Sequence, residues 1–90
     1  MHMDIEWDKD KAAANLKKHG VSFGEAATAL LDPMALAQED KSARRESRWL
    51  LLGISDQLRL LTVVYTLRGQ DRIRLISARK ATRKESETYA

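Results

Sequence analysis

From Arg48 onward the chain breaks into apolar runs of strand length separated by short polar turns. Arg48-Trp49-Leu50-Leu51-Leu52-Gly53-Ile54 is the first run, and Ser55-Asp56-Gln57 turns it into a second, Leu58 to Leu67. The second run is rich in β-branched residues, which predicts a central strand. Arg68-Gly69-Gln70-Asp71 turns the chain again, and Arg72 to Arg79 returns as a last strand. Met34 to Gln38 predicts a short edge strand, and Ile5-Glu6-Trp7 alternates as a very short first one.

The helices announce themselves by their ends. Asp8 caps a helix that runs to His19, with Lys17 and Lys18 at its negative end and Gly20 as its left-handed stop. Ser22-Phe23-Gly24-Glu25 has the spacing of a capping box, with Val21 and Ala26 placed as a hydrophobic staple. That second helix ends near Leu31, because Asp32-Pro33 cannot continue it. Thr82-Arg83-Lys84-Glu85 is another capping box and opens a terminal helix carrying Tyr89. The charged stretch from Glu39 to Ser47 has no apolar anchor except Ala43 and is expected to be a mobile loop. These elements predict a single α+β domain over 1–90: two N-terminal helices on a four-stranded antiparallel sheet, with a short C-terminal helix. The first alternating residues leave room for one extra short strand.

At 90 residues with 43% apolar content, the chain is globular in composition. A chain of this size buries about 60% of its unfolded surface, enough for a real but thin core. It has no cysteine, which removes disulfides and thiolate metal sites, and its only histidines, His2 and His19, share no metal-ligand spacing with carboxylates. Neither a membrane-spanning run nor a secretory signal is present, so a cytoplasmic protein with no metal and no cofactor is expected.

The net charge of +3 hides a separation of sign. Residues 1–40 hold four Lys/Arg against eight Asp/Glu, whereas residues 41–90 hold twelve against five. Arg72, Arg74, Arg79, Lys80, Arg83 and Lys84 crowd the segment 71–85, opposed only by Asp71 and Glu85. A polyanion is the natural partner of such a surface, although solvated cations on an exposed sheet face give the same pattern.

Several blocks of residues then recur in a known order. They are Glu6-Trp7-Asp8, the run Asn15-Leu16-x-Lys18-His19-Gly20-Val21-x-Phe23-x-Glu25-Ala26, and Leu31-Asp32-Pro33. Arg48 before the apolar strand and Asp71-Arg72-Ile73-Arg74-x-Ile76-Ser77-Ala78-Arg79-Lys80-Ala81-Thr82-x-x-Glu85 complete the set. In these blocks the chain resembles the BrnT-type toxins along essentially its whole length. The resemblance implies a ribonuclease toxin of a bacterial type II toxin–antitoxin pair, with a fold similar to the RelE/ParE superfamily, that lowers translation. It also implies a BrnA-like antitoxin with a ribbon–helix–helix DNA-binding region. The two would form a hetero-oligomer that reaches operator DNA only through the antitoxin.

Metal-free RNA cleavage needs a base for the ribose 2′-OH, cations for the phosphorane, and an acid for the leaving oxygen. His19 is the first candidate for acid or base, with capping of helix carbonyls as its plain alternative. Counted alternately, Arg79 shares the apolar face of the last strand with Ile73, Leu75 and Ser77, while Arg72, Arg74 and Lys80 take the other. A cation on the apolar side is costly unless paired or functional, which makes Arg79 the leading phosphate-gripping candidate. A bulge in the strand undoes that count.

Arg68 at a hairpin turn and Glu46 in the charged loop complete the catalytic candidates, with Glu39 and Asp40 as further possible bases. Lys18, Arg48, Arg72, Arg74, Lys80 and Arg83 are the candidate RNA contacts. Trp7 and Trp49 fit the core better than a base-stacking platform, and Tyr89 fits helix packing. Two other functions compete. One is a nuclease-inactive toxin fold serving as an antitoxin-bound corepressor. The other is a helix-turn-helix DNA-binding module, against which the apolar second helix argues.

Overall fold

Five strands and three helices make up the computed structural model, which describes residues 3–41 and 47–89. In chain order they are β1 (Asp4–Glu6), α1 (Lys9–His19), α2 (Phe23–Ala29), β2 (Leu36–Asp40), β3 (Arg48–Ile54), β4 (Leu60–Arg68), β5 (Arg72–Lys80) and α3 (Arg83–Thr88). The strands form one sheet in the order β1-β5-β4-β3-β2. The predicted four-stranded antiparallel sheet of RelE/ParE type is therefore corrected to five strands of mixed direction. β1 runs parallel to β5, with Asp4 opposite Arg72 and Glu6 opposite Arg74. A second correction concerns the charged loop: Glu39 and Asp40 belong to β2, paired with Trp49 and Arg48. Ser42 to Glu46 lie outside the described residues.

The helix ends follow the expected chemistry. The Asp8 carboxylate accepts from the amides of Asp10 and Lys11, and Gly20 closes α1 at φ 70°. Ser22 accepts from the Glu25 amide to open α2, and the Thr82/Glu85 box opens α3 with both of its reciprocal bonds.

Both long helices lie on one face of the sheet and build the core there. Val21, Phe23, Ala26 and Ala29 from the helical side meet Leu51, Leu61, Val63, Tyr65, Leu75 and Ala78 from the strands. Trp7 stands edge-on to Phe23 with ring centroids 6.1 Å apart, and Trp49 packs against the same cluster. Gly53 permits the close approach of α2 to β3, because a Cβ there would meet the Ala29 carbonyl oxygen at 2.6 Å.

Asn15 pins α1 to β5. Its amide donates to the carbonyls of Val21 (2.9 Å) and Ala78 (2.8 Å) and accepts from the Ala78 amide (3.1 Å). All of its buried polar capacity toward the sheet is thus used, which is how a buried amide avoids its desolvation cost. Among the described residues no helix is long and apolar enough to cross a membrane. The opposite face of the sheet is only partly covered, by α3.

Candidate nucleic-acid interface

The placement of the arginines turns on one residue of β5. Val64 pairs with Ser77 and Tyr65 pairs with Leu75, so Ile76 is an extra residue without a partner of its own. Such a bulge resets the alternation of the strand. Leu75 and Ala78 both face the helices and are buried. Arg79 pairs with Thr62 and falls on the opposite, open face with Arg72, Arg74 and Ser77; Lys80 pairs with the core residue Leu61 and turns to the helical side. The expected sharing of faces is therefore overturned, and Arg79 is not a cation held on the apolar side.

The open face carries its charges in an ordered row. Glu6, Arg74, Thr66, Arg48 and Asp40 are successive cross-strand partners from β1 to β2. Adjacent members stand about 4.8 Å apart, the inter-strand spacing. Arg74 donates to the Glu6 carboxylate at 2.8 Å, and Arg72 lies 3.4 Å from its other oxygen. Arg48 is exposed, and among the described residues no carboxylate lies within ion-pair distance of it. The Thr66 hydroxyl between the two arginines donates to the Ser47 carbonyl at 2.7 Å, fixing the point where the chain enters β3.

Two rows further along the sheet, α3 crosses the open face and holds Arg79. The guanidinium donates to both oxygens of Glu85 at 2.8 and 2.9 Å, in the fork geometry that suits carboxylates and phosphates alike. Glu85 also accepts from the Thr62 hydroxyl and the Thr82 amide. Arg79 above all, with the Thr82 and Thr62 bonds, holds the Glu85 carboxyl down at about 2 against the opposing effect of burial. Past the end of α3, the Tyr89 hydroxyl donates to Asp32, which ties the helix across to the start of β2. Between α3 and β2 a groove of 260 Å³ is left open, lined by Leu36, Gln38, Leu50, Leu52, Thr62 and Thr88 among others.

The remaining candidates scatter. His19 and Lys18 stand at the end of α1, and α1 packs on the side of β5 away from the Arg79 guanidinium. The structure does not bring His19 and Arg79 onto one face. Arg68 ends β4 opposite Arg72, and Arg83 is an exposed residue at the start of α3. Glu46 lies outside the described residues. In α2, Phe23, Glu25, Ala26 and Ala29 are buried, so this helix is part of the core and is not presented to a DNA groove.

One cluster was missed from the sequence. Glu25 does not return its carboxylate to the Ser22 amide, as the box spacing predicts; it accepts from Ser55 at 2.6 Å and from Nε and Nη2 along one edge of the Arg59 guanidinium. Arg59 in turn donates to the Gly20 carbonyl at 3.2 Å, joining the α1 end to the β3–β4 hairpin. The bond from Arg59 does most to keep the Glu25 carboxyl below its ordinary range although its side chain is only 2% accessible. Glu25 sits in a capping-box context, which supplied a sufficient local role and masked the long-range one.

Comparison with known proteins now supplies the identity of the fold. Residues 7–85 match the family described as "Ribonuclease toxin, BrnT, of type II toxin-antitoxin system". The chain belongs to this family. The crystal structure of the Brucella abortus ribonuclease toxin BrnT is similar, with a TM-score of 0.71 at 26% sequence identity, covering 90% of this chain and 99% of that one. No curated protein sequence matches the chain. Membership of the BrnT family makes this a ribonuclease toxin of a type II system, a class that implies an antitoxin partner.

Proposed function

We propose that this chain cuts RNA without a metal ion and that the open face of its sheet carries the substrate phosphates. The observation that carries this reading is the row Arg74–Thr66–Arg48, cross-strand partners on the sheet face away from α1 and α2, where exposed Arg48 and half-buried Arg74 flank the buried Thr66, with Arg72 and Arg79 on the same face. Arginine forks on one face, two strands apart and so about 9.6 Å from each other, suit successive phosphates of a phosphodiester backbone, and the substrate's own 2′-OH is the nucleophile. It attacks the adjacent phosphorus as a base takes its proton, the bond to the 5′-oxygen breaks, that oxygen takes a proton from solvent water, and the products are a 2′,3′-cyclic phosphate and a 5′-hydroxyl. The described residues include no group of three or more His, Cys, Asp or Glu placed to hold a metal ion.

In this proposal Arg48, Arg72 and Arg74 contact phosphates, and Arg79 stabilises the phosphorane. Glu46, close before Arg48 in the chain, is the proposed base. Arg68, opposite Arg72, adds positive potential at the same sheet end. Arg83, at the start of α3, flanks the face, while Lys18 and Lys80 on the helical side add only long-range positive potential that guides the RNA. His19 has no part in a step with Arg79, because the sheet stands between them. The protein acts in the cytoplasm to restrain translation. A cognate BrnA-like antitoxin with a ribbon–helix–helix region neutralises it and carries the hetero-oligomer to operator DNA.

The test is cleavage of an end-labelled RNA by purified, antitoxin-free protein in EDTA. Fragments ending in cyclic phosphate are expected. Arg48→Ala with Arg74→Ala should weaken RNA binding and lower the slope of log affinity against log salt by about 1.4, at about 0.7 per cation on a single strand. RNA left intact by folded protein would overturn the nuclease reading and favour the corepressor. An unchanged salt slope would move the RNA off this face.

A further inference from the structure

We propose that the groove beside α3 seats one base of the bound RNA and that Gln38 reads that base as adenine. This rests on the RNA reading above and adds a specificity-determining residue to it. Gln38 lies on the open face opposite Leu50, which is opposite Val64 and then Ser77. That row is the immediate neighbour of Arg48, Thr66 and Arg74, two residues along β2, β3 and β4, three along β5 across the bulge, and so about 7 Å away. A nucleotide whose phosphate rests on the arginine row lays its base over the next row. That row leads into the groove.

The walls of the groove suit a base. Leu50 and Leu52 form an apolar floor and Leu36, 46% accessible, forms its outer lip. Flat aromatic faces gain from covering such a surface. At 260 Å³ the groove has room for a base. Its polar groups divide into spent and free ones. Glu85 is saturated by Arg79, Thr62 and Thr82, and its charge is countered there. The Thr88 hydroxyl donates to the Glu85 carbonyl at 2.7 Å and keeps its own lone pairs as acceptors. Gln38 is exposed, and among the described residues its amide makes no hydrogen bond. It therefore offers an N–H donor and a carbonyl acceptor side by side, the pattern that matches the N6 donor and N7 acceptor of adenine.

An apolar groove at a sheet edge also accommodates a hydrophobic protein segment. The arginine row one step away favours a nucleotide instead, because it supplies the countercharge for a phosphate attached to the occupant.

The experiment is methyl NMR of the wild-type chain titrated with the four nucleoside 5′-monophosphates, none of which it can cleave. Adenosine monophosphate should shift the methyls of Leu36, Leu50, Leu52 and Thr88 and bind about tenfold tighter than the others, the discrimination of one bidentate contact. Gln38→Leu should bring the four nucleotides to within about twofold of one another. Gln38→Glu, which can only accept, should move the preference toward cytidine. Thermal melts of both variants matching wild type confirm that the fold is kept, as an exposed edge position predicts.

Methyl shifts outside the groove would overturn the proposal, as would an adenine preference that survives Gln38→Leu. The two layers fail separately. RNA that is cut while the groove methyls stay silent removes the base seat alone. Nucleotide binding in the groove with RNA left intact removes the nuclease reading alone.

Discussion

Glutamine at position 85 keeps the shape of the side chain and removes its charge, so Glu85→Gln isolates what the Arg79 pair contributes to stability. Glu85 accepts four hydrogen bonds, two from Arg79 and one each from Thr62 and Thr82, and its carboxyl is lowered from 4.5 to about 2. At about 1.4 kcal/mol per pKa unit the shift corresponds to roughly 3 kcal/mol. The side chains of Arg79 and Glu85 are 38% and 31% accessible, so solvent screening reduces the pair to about 1–2 kcal/mol.

The folded state binds the Glu85 proton less readily than the unfolded chain does. This contribution is therefore complete above about pH 4.5 and is lost as pH falls toward about 2. The assay is urea denaturation of wild type and variant at neutral pH and in steps down to pH 2. Other depressed carboxylates, Glu25 and Asp32 among them, titrate alike in both proteins and cancel in the difference. The variant should be about 1–2 kcal/mol less stable at pH 7, and the gap should close across that window. A gap that persists at pH 2, or no gap at pH 7, refutes the assignment.

Two further substitutions test packing and backbone. Gly53→Ala places a Cβ 2.6 Å from the Ala29 carbonyl oxygen, with Leu51 and Ala35 also too near. It should cost about 1–3 kcal/mol in chemical denaturation, and an unchanged midpoint would show that α2 can move away. Leu58→Gly relieves a left-handed residue at φ 62° whose side chain is 87% exposed. Relief of about 1–2 kcal/mol outweighs the added freedom of the unfolded chain, for a net gain of roughly 0.5–1 kcal/mol; a lower denaturation midpoint would refute it.

The capping residues Asp8, Ser22 and Thr82 and the stop at Gly20 were legible because each acts through a bond to its own neighbours. The long apolar runs were legible because a buried strand has few other ways to look. Ile76 was the decisive omission. The consecutive Leu75-Ile76 in a strand that otherwise alternates with arginine was the available signal for the bulge, and it reverses the side on which Arg79 stands. The parallel pairing of β1 was hidden because a three-residue strand has too little pattern to declare a partner in β5. Glu25 was misdirected for the opposite reason: a strong local motif explained it before any distant partner was sought. The extension of β2 into Glu39 and Asp40 carried no apolar signal, since both are polar residues at a sheet edge.

The position of β5 between β1 and β4 also sets an order of events during synthesis. The Asp4 amide waits for the Asp71 carbonyl, and Asn15 waits for Ala78, so β1 and α1 have no place on the sheet until the arginine strand has left the ribosome. Closing so large a loop delays the assembly of the sheet. The face that would grip RNA is then created in a single late event, because the strand that completes the scaffold also delivers Arg72, Arg74 and Arg79.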